Sequence, residues 1–115
     1  MAMTEAFRNA MLTSGAALIT HIGLFDGASE ITGGSPAYAR KAVTWAAAGS
    51  GAIRPNADLT FDIPASATVD GWRGFTASTA GTNYGGASLT AEAFAGQGQY
   101  KLLAASTGIL ASDPA

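Results

Sequence analysis

Cysteine is absent from this 115-residue chain, which excludes disulfides, thiolate nucleophiles and zinc-thiolate sites and leaves the redox compartment open. Histidine occurs once, as His21, so any imidazole chemistry would have to be built on that residue. Charge is scarce. Six Lys and Arg against eight Asp and Glu make 12% charged residues and a formal net charge of −2. That gives no basic field to neutralise phosphates, and nucleic acid is not an expected partner. Low net charge combined with 48% hydrophobic residues also disfavours disorder. Long apolar runs are missing too: the best stretch, Gly15 to Phe25, is broken by Thr20 and His21, well short of the roughly 20 apolar residues a membrane helix needs. Glu5 stands where a secretion signal wants basic residues, so neither a signal nor a membrane span is expected.

What the chain has in quantity is alanine. Twenty-six alanines stand beside two valines, six isoleucines and eight leucines, so the hydrophobic fraction overstates the area available to a core. The length suits one domain over 1–115, and the expected divisions are a helical segment at 1–15, a β domain at 17–107 and a tail at 108–115. A core this thin makes a lone subunit marginally stable, and association with other subunits is the expected remedy.

Thr4 is placed to cap a short helix, Glu5 complements its N-terminal dipole, and Met3, Phe7, Ala10 and Met11 share one face. Gly15 is expected to end it. An apolar strand-like run from Leu18 to Phe25 stops at the turn pair Asp26-Gly27. Lys41 to Ala47 alternates around Val43 and Trp45, and a turn follows at Gly49-Ser50-Gly51. Ala57, Leu59, Phe61 and Ile63 then alternate with Asp58, Thr60 and Asp62 until Pro64 closes the strand. Thr68 to Ala77 carries Val69, Trp72 and Phe75 around Gly71 and Gly74, a pattern for a bulge or a close backbone approach. Two further strands are expected at Thr82–Leu89 and Gly98–Ser106, the latter alternating Tyr100, Leu102 and Ala104. Short strands at this spacing imply a mainly β fold: an antiparallel β-sandwich or small barrel with a short N-terminal helix.

Motifs for chemistry are few. His21 has no second histidine or acidic cluster beside it, apart from Asp26, and reads as a structural or surface residue. Asp58 and Asp62 share a face, but about 13 Å of strand separates them, too far for a glycosidase pair. No calcium-loop spacing joins them to Asp70. Ser35 lacks the second glycine of a nucleophile elbow, Ala37 standing in its place. Gly96-Gln97-Gly98 lacks the third glycine of a dinucleotide fingerprint and precedes a strand. No catalytic residue, cofactor site or metal site is assigned, and the chain is not expected to be an enzyme.

Aromatic and arginine side chains offer more, because they anchor interfaces. Trp45, Phe61, Phe75 and Phe94 are assigned to the core, and Tyr38, Arg40, Trp72, Arg73 and Tyr84 are the candidate protein-interface residues. The run from Gly33-Gly34-Ser35-Pro36-Ala37-Tyr38-Ala39-Arg40 through Lys41-Ala42-Val43-Thr44-Trp45-Ala46-Ala47-Ala48 carries a resemblance. Phe61-Asp62-Ile63-Pro64-Ala65, Thr68-Val69 and Glu92-Ala93-Phe94-Ala95-Gly96-Gln97-Gly98-Gln99-Tyr100 extend it. Together they resemble a family of small virion proteins of actinobacterial phages, variously labelled capsid decoration, minor tail or tail fibre protein. Asp70 to Phe75 departs from the Gly-Leu-Trp-like stretch usual there. The resemblance implies a virion component without an active site, and 115 residues without repeats cannot build a fibre shaft. The expectation is a capsid decoration protein on the outside of the head, self-associating and bound to the major capsid protein or other virion proteins. The alternatives are a minor tail or tail fibre component and a host-surface carbohydrate-binding module, in which Trp72 and Tyr84 would stack on sugar rings.

Overall fold

A computed structural model describes residues 4–49, 52–104 and 107–110; Met3, the Ser50-Gly51 half of the expected turn, Ala105-Ser106 and the 112–114 end lie outside them. The fold is mainly β with antiparallel sheets and one short N-terminal helix. Helix α1 (Glu5–Ala16) opens on Thr4, whose hydroxyl accepts the Phe7 N–H at 3.2 Å. It runs one residue past Gly15, which keeps a helical backbone. The face it buries is a different stripe from the one that carries Phe7 and Met11. Leu12 and Ala16 pack on Ile53, with Trp45 and Ala48 beside them, whereas Phe7, Ala10 and Met11 face solvent.

The main sheet is built around β1 (His21–Asp26) and β6 (Thr68–Phe75). β2 (Ser29–Glu30) and β3 (Lys41–Ala42) share the far edge of β1, and β7 (Asn83–Ala93) lies along β6, giving the order β2-β1-β6-β7 with β3 beside β1. The expected turn at Asp26-Gly27 is the tip of the β1–β2 hairpin: Asp26 pairs Ser29, and Gly27 takes a φ of 62° that glycine adopts without steric cost. Facing this sheet is a ribbon of β5 (Leu59–Ile63) and β8 (Gly98–Leu102). Ile22, Leu24, Val69 and Trp72 from the sheet meet Phe61, Ile63 and Leu102 from the ribbon, with Ile19, Ile31 and Val43 closing the ends. Two open antiparallel layers over one core make a small sandwich. A further pair, β4 (Ala52–Ile53) with β9 (Ile109–Leu110), sits beside the helix.

Several boundaries differ from the sequence reading. Leu18 lies before β1 and is exposed, because the strand begins only where His21 finds Ala42 and Phe75 as partners. The 41–47 strand shrinks to two residues; Trp45 bridges Pro55 instead and donates its indole N–H to the Ile19 carbonyl at 3.0 Å. The segment read as a tail from 108 contains β9. Gly71 and Gly74 do mark irregular pairing: the register of β6 against β7 shifts between Val69 and Gly71 and again between Arg73 and Phe75. A Cβ on Gly74 would stand 2.6 Å from Ile19 Cγ2, the close approach that position requires. With a long β6–β7 ribbon, the radius of gyration is 15.0 Å, against about 13 Å for a compact chain of this length.

Candidate binding surface

The outer face of the main sheet carries a ladder of four side chains. Arg40 lies 3.5 Å over the Phe75 ring, Phe75 stacks on Phe25 with centroids 6.0 Å apart, and Arg73 covers Phe25 at 4.5 Å. The register explains the ladder, because His21 pairs Phe75, Gly23 pairs Arg73 and Phe25 pairs Gly71, all on one face. Gly23 leaves the room. A Cβ there would meet Glu30 Oε2 at 2.6 Å, the Tyr38 hydroxyl at 2.9 Å and Phe75 at 3.1 Å.

Glu30 is the hub at the end of this ladder. Its carboxylate accepts two bonds from Arg40 Nε, at 3.2 and 2.9 Å, and one from Nη2 at 2.9 Å; it also accepts the Tyr38 hydroxyl at 2.8 Å. Arg40 Nη1 reaches the carbonyls of Ala77 and Ala80 and so pins the loop after β6. The Tyr38 hydroxyl in turn accepts the Leu24 N–H at 2.8 Å. That bond fills the gap between β2 and β3, where β1 has no strand partner on that edge. The Arg40 guanidinium is held still more firmly protonated by its bonds to Glu30. Burial raises the Tyr38 phenol well above the ordinary tyrosine range, and the bond to the Glu30 carboxylate adds to the rise.

Of the five candidate interface residues, the structure turns three inward. Tyr38 and Arg40 are members of a polar network, with the Tyr38 ring stacked on Phe61 at 6.2 Å. Trp72 is 3% exposed and lies in the core, so its ring cannot serve as a sugar-stacking platform; its place in β6 opposite Leu24 directs it inward. Arg73 remains at the surface of the ladder. It lines an open groove of about 550 Å³ together with Phe25, Asp70, Gly71, Gly85 and Gly86. Tyr84, at the start of β7, is 52% exposed.

Other residues considered for chemistry are held in structural bonds. His21 Nδ1 lies 2.9 Å from the Thr20 hydroxyl. Asp58 accepts the Ala104 N–H and Asp70 the Gly27 N–H. No three metal-ligating side chains gather among the described residues. Gln97, from the Gly-Gln-Gly segment, clamps the 34–37 loop: its amide donates to the Pro36 carbonyl at 3.1 Å and accepts the Ser35 N–H at 3.2 Å.

The surface open to a partner lies elsewhere, and sequence reasoning named only Tyr84 in it. Phe7, Met11 and Leu18 are 47%, 38% and 54% exposed. Met11, Leu18 and Tyr84 line an apolar groove of about 280 Å³ between α1 and the start of β7, together with Leu12, Gly15, Ala16 and Ile19. Beside it runs β7, ten of whose eleven residues are exposed. It forms the open edge of the main sheet among the described residues. Such an edge offers backbone donors and acceptors to another extended chain. The Phe7–Met11 spacing was the available signal for the apolar part. Comparison with family models, curated proteins and solved structures finds no match to this chain.

Proposed function

We propose that this chain is a structural protein of a bacteriophage particle, a capsid decoration protein that binds neighbouring major-capsid subunits on the outside of the head and stabilises their lattice. The observation that carries the binding role is β7: an eleven-residue strand exposed along nearly its whole length and, among the described residues, unpaired on its outer edge. On its inner edge β7 is paired with β6 from Asn83 to Ala93, and its outer edge would give a partner chain a template. The resemblance of the 33–48, 61–65 and 92–100 segments to small phage virion proteins supplies the particle. Many copies on a repeating shell would let weak individual contacts add up.

Gold-conjugated antibody against the protein, applied to intact virions, tests the location directly. Label spread over the heads supports decoration, and particles lacking the protein should then release DNA at a lower temperature. Label confined to tails overturns the capsid assignment in favour of a tail component.

A further inference from the structure

We infer that two copies of this chain associate through α1, the helices antiparallel about a two-fold axis at Met11, so that Phe7 of each copy fills the groove beside Gly15 of the other. The inference deepens the self-association expected of a decoration protein and rests on that part of the reading alone.

Gly15 is the first argument. A glycine within a helix costs stability relative to alanine, so its presence asks for a reason. The subunit supplies none: Gly15 has a helical backbone, and nothing lies within 4 Å of where a Cβ would stand. Gly15 lines the apolar groove, and its missing side chain leaves that part of the lining open.

The spacing is the second. Phe7, Met11 and Gly15 follow one another at four-residue steps and share one stripe of the helix, about 12 Å from end to end. A two-fold axis at the middle residue sets position 7 of one helix opposite position 15 of the other, twice, with the two Met11 side chains in contact at the centre. An exposed knob is thereby matched to an open hole on the same surface, the self-complementarity that an isologous interface requires. Ala10 and Ser14, flanking the stripe, are small enough for the helices to approach closely.

Area is the third. Four large apolar side chains, each around half exposed, leave about 100 Å² apiece uncovered, given about 200 Å² for a large side chain. Over two copies that amounts to about 800 Å² of apolar surface, and a polar rim brings it to the roughly 1,000 Å² of a specific interface. No charged residue lies on the stripe. Glu5 and Arg8 sit to its side, so nothing repels a second copy at the centre.

Sedimentation velocity over a range of concentrations tests the proposal on the full chain, with circular dichroism confirming that each variant is folded. The wild type should be a concentration-dependent dimer. Phe7→Ala and Gly15→Leu should each weaken association by at least about tenfold, the second by filling the hole. Met11→Cys should oxidise to a covalent dimer, whereas Thr13→Cys, also exposed but facing away from the stripe, should not. A wild type that stays monomeric throughout overturns both this inference and the self-association within the proposed function. An oligomer indifferent to Phe7→Ala and Gly15→Leu, or Met11→Cys subunits that do not cross-link, overturns this interface while leaving self-association standing.

Discussion

Tyr38→Phe removes a single oxygen from the network at Glu30, and the structure sets what that should cost. The hydroxyl accepts the N–H of Leu24, a fully buried residue, and donates to the Glu30 carboxylate. Without it the Leu24 N–H has no acceptor, at about 1–3 kcal/mol for a buried unsatisfied donor. A hydrogen bond to a charged group is lost as well, worth about 1.5–3 kcal/mol. The ring and its stacking on Phe61 are retained, so packing changes little. Allowing for relaxation, the expected destabilisation is about 3 kcal/mol; at about 4 °C per kcal/mol for a domain of this size, Tm falls by about 12 °C. Thermal melts at neutral pH measure the first quantity. Alkaline titration measures a second. The folded-state phenol is raised above the unfolded value near 10, so the folded chain holds its proton more tightly. The stability this contributes is present in full below pH 10 and is lost as pH climbs from there toward the folded value. Tyr100 is raised in the same direction by burial, with Glu92 adding to it, so the Tyr38→Phe variant should keep a reduced alkaline loss. A Tm within about 2 °C of wild type, or an unchanged alkaline limb, would refute the bridging role of Tyr38.

Two further predictions concern packing. Trp72→Ala should cost about 3–5 kcal/mol by opening a cavity between the two layers, seen as a lower denaturant midpoint; a variant as stable as wild type would return Trp72 to the surface. Gly23→Ala drives a methyl into Glu30, Tyr38 and Phe75 at once and should destabilise by about 1–3 kcal/mol. In combination with Tyr38→Phe it should add less than the sum of the two, because both act on the same network.

Where the sequence was legible, local pattern decided the outcome. The alternation of Leu59, Phe61 and Ile63 is the burial pattern of β5, and Pro64 follows its last residue. Asp26-Gly27 forms a hairpin tip, and the glycines of β6 coincide with its register shifts. The misses arose where burial depends on partners distant in sequence. Glu30 drew no attention because its bonds run to residues 8 and 10 positions away and nothing in Ser29-Glu30-Ile31 announces them. Aromatic type alone could not tell Trp72, which the β1 register turns inward, from Tyr84, which is exposed near the start of β7. Helix α1 carries two apolar stripes, and its sequence does not say that Leu12 and Ala16 would take the core and leave Phe7 and Met11 outside.

That division of labour bears on what the family resemblance means. The residues that carry it are fastened inward: Tyr38 and Arg40 to Glu30, Trp45 to the Ile19 carbonyl, Phe61 and Ile63 to the core, and Gln97 across to the loop at Pro36. The segments at 33–48, 61–65 and 92–100 are thus tied into one scaffold, and substituting their side chains would cost stability before it touched any partner. The apolar stripe of α1, Leu18 and the exposed start of β7 at Tyr84 all fall outside those segments. The scaffold therefore does not fix the exposed face, since a change at Phe7 or Tyr84 leaves the Glu30 network and the core contacts intact. Chains that share these segments are expected to share the sandwich and to be free to differ in what they bind. For this chain, experiments on its role belong on α1 and β7, and variants of the signature residues should be judged by their melting temperature before any loss of binding is attributed to contact.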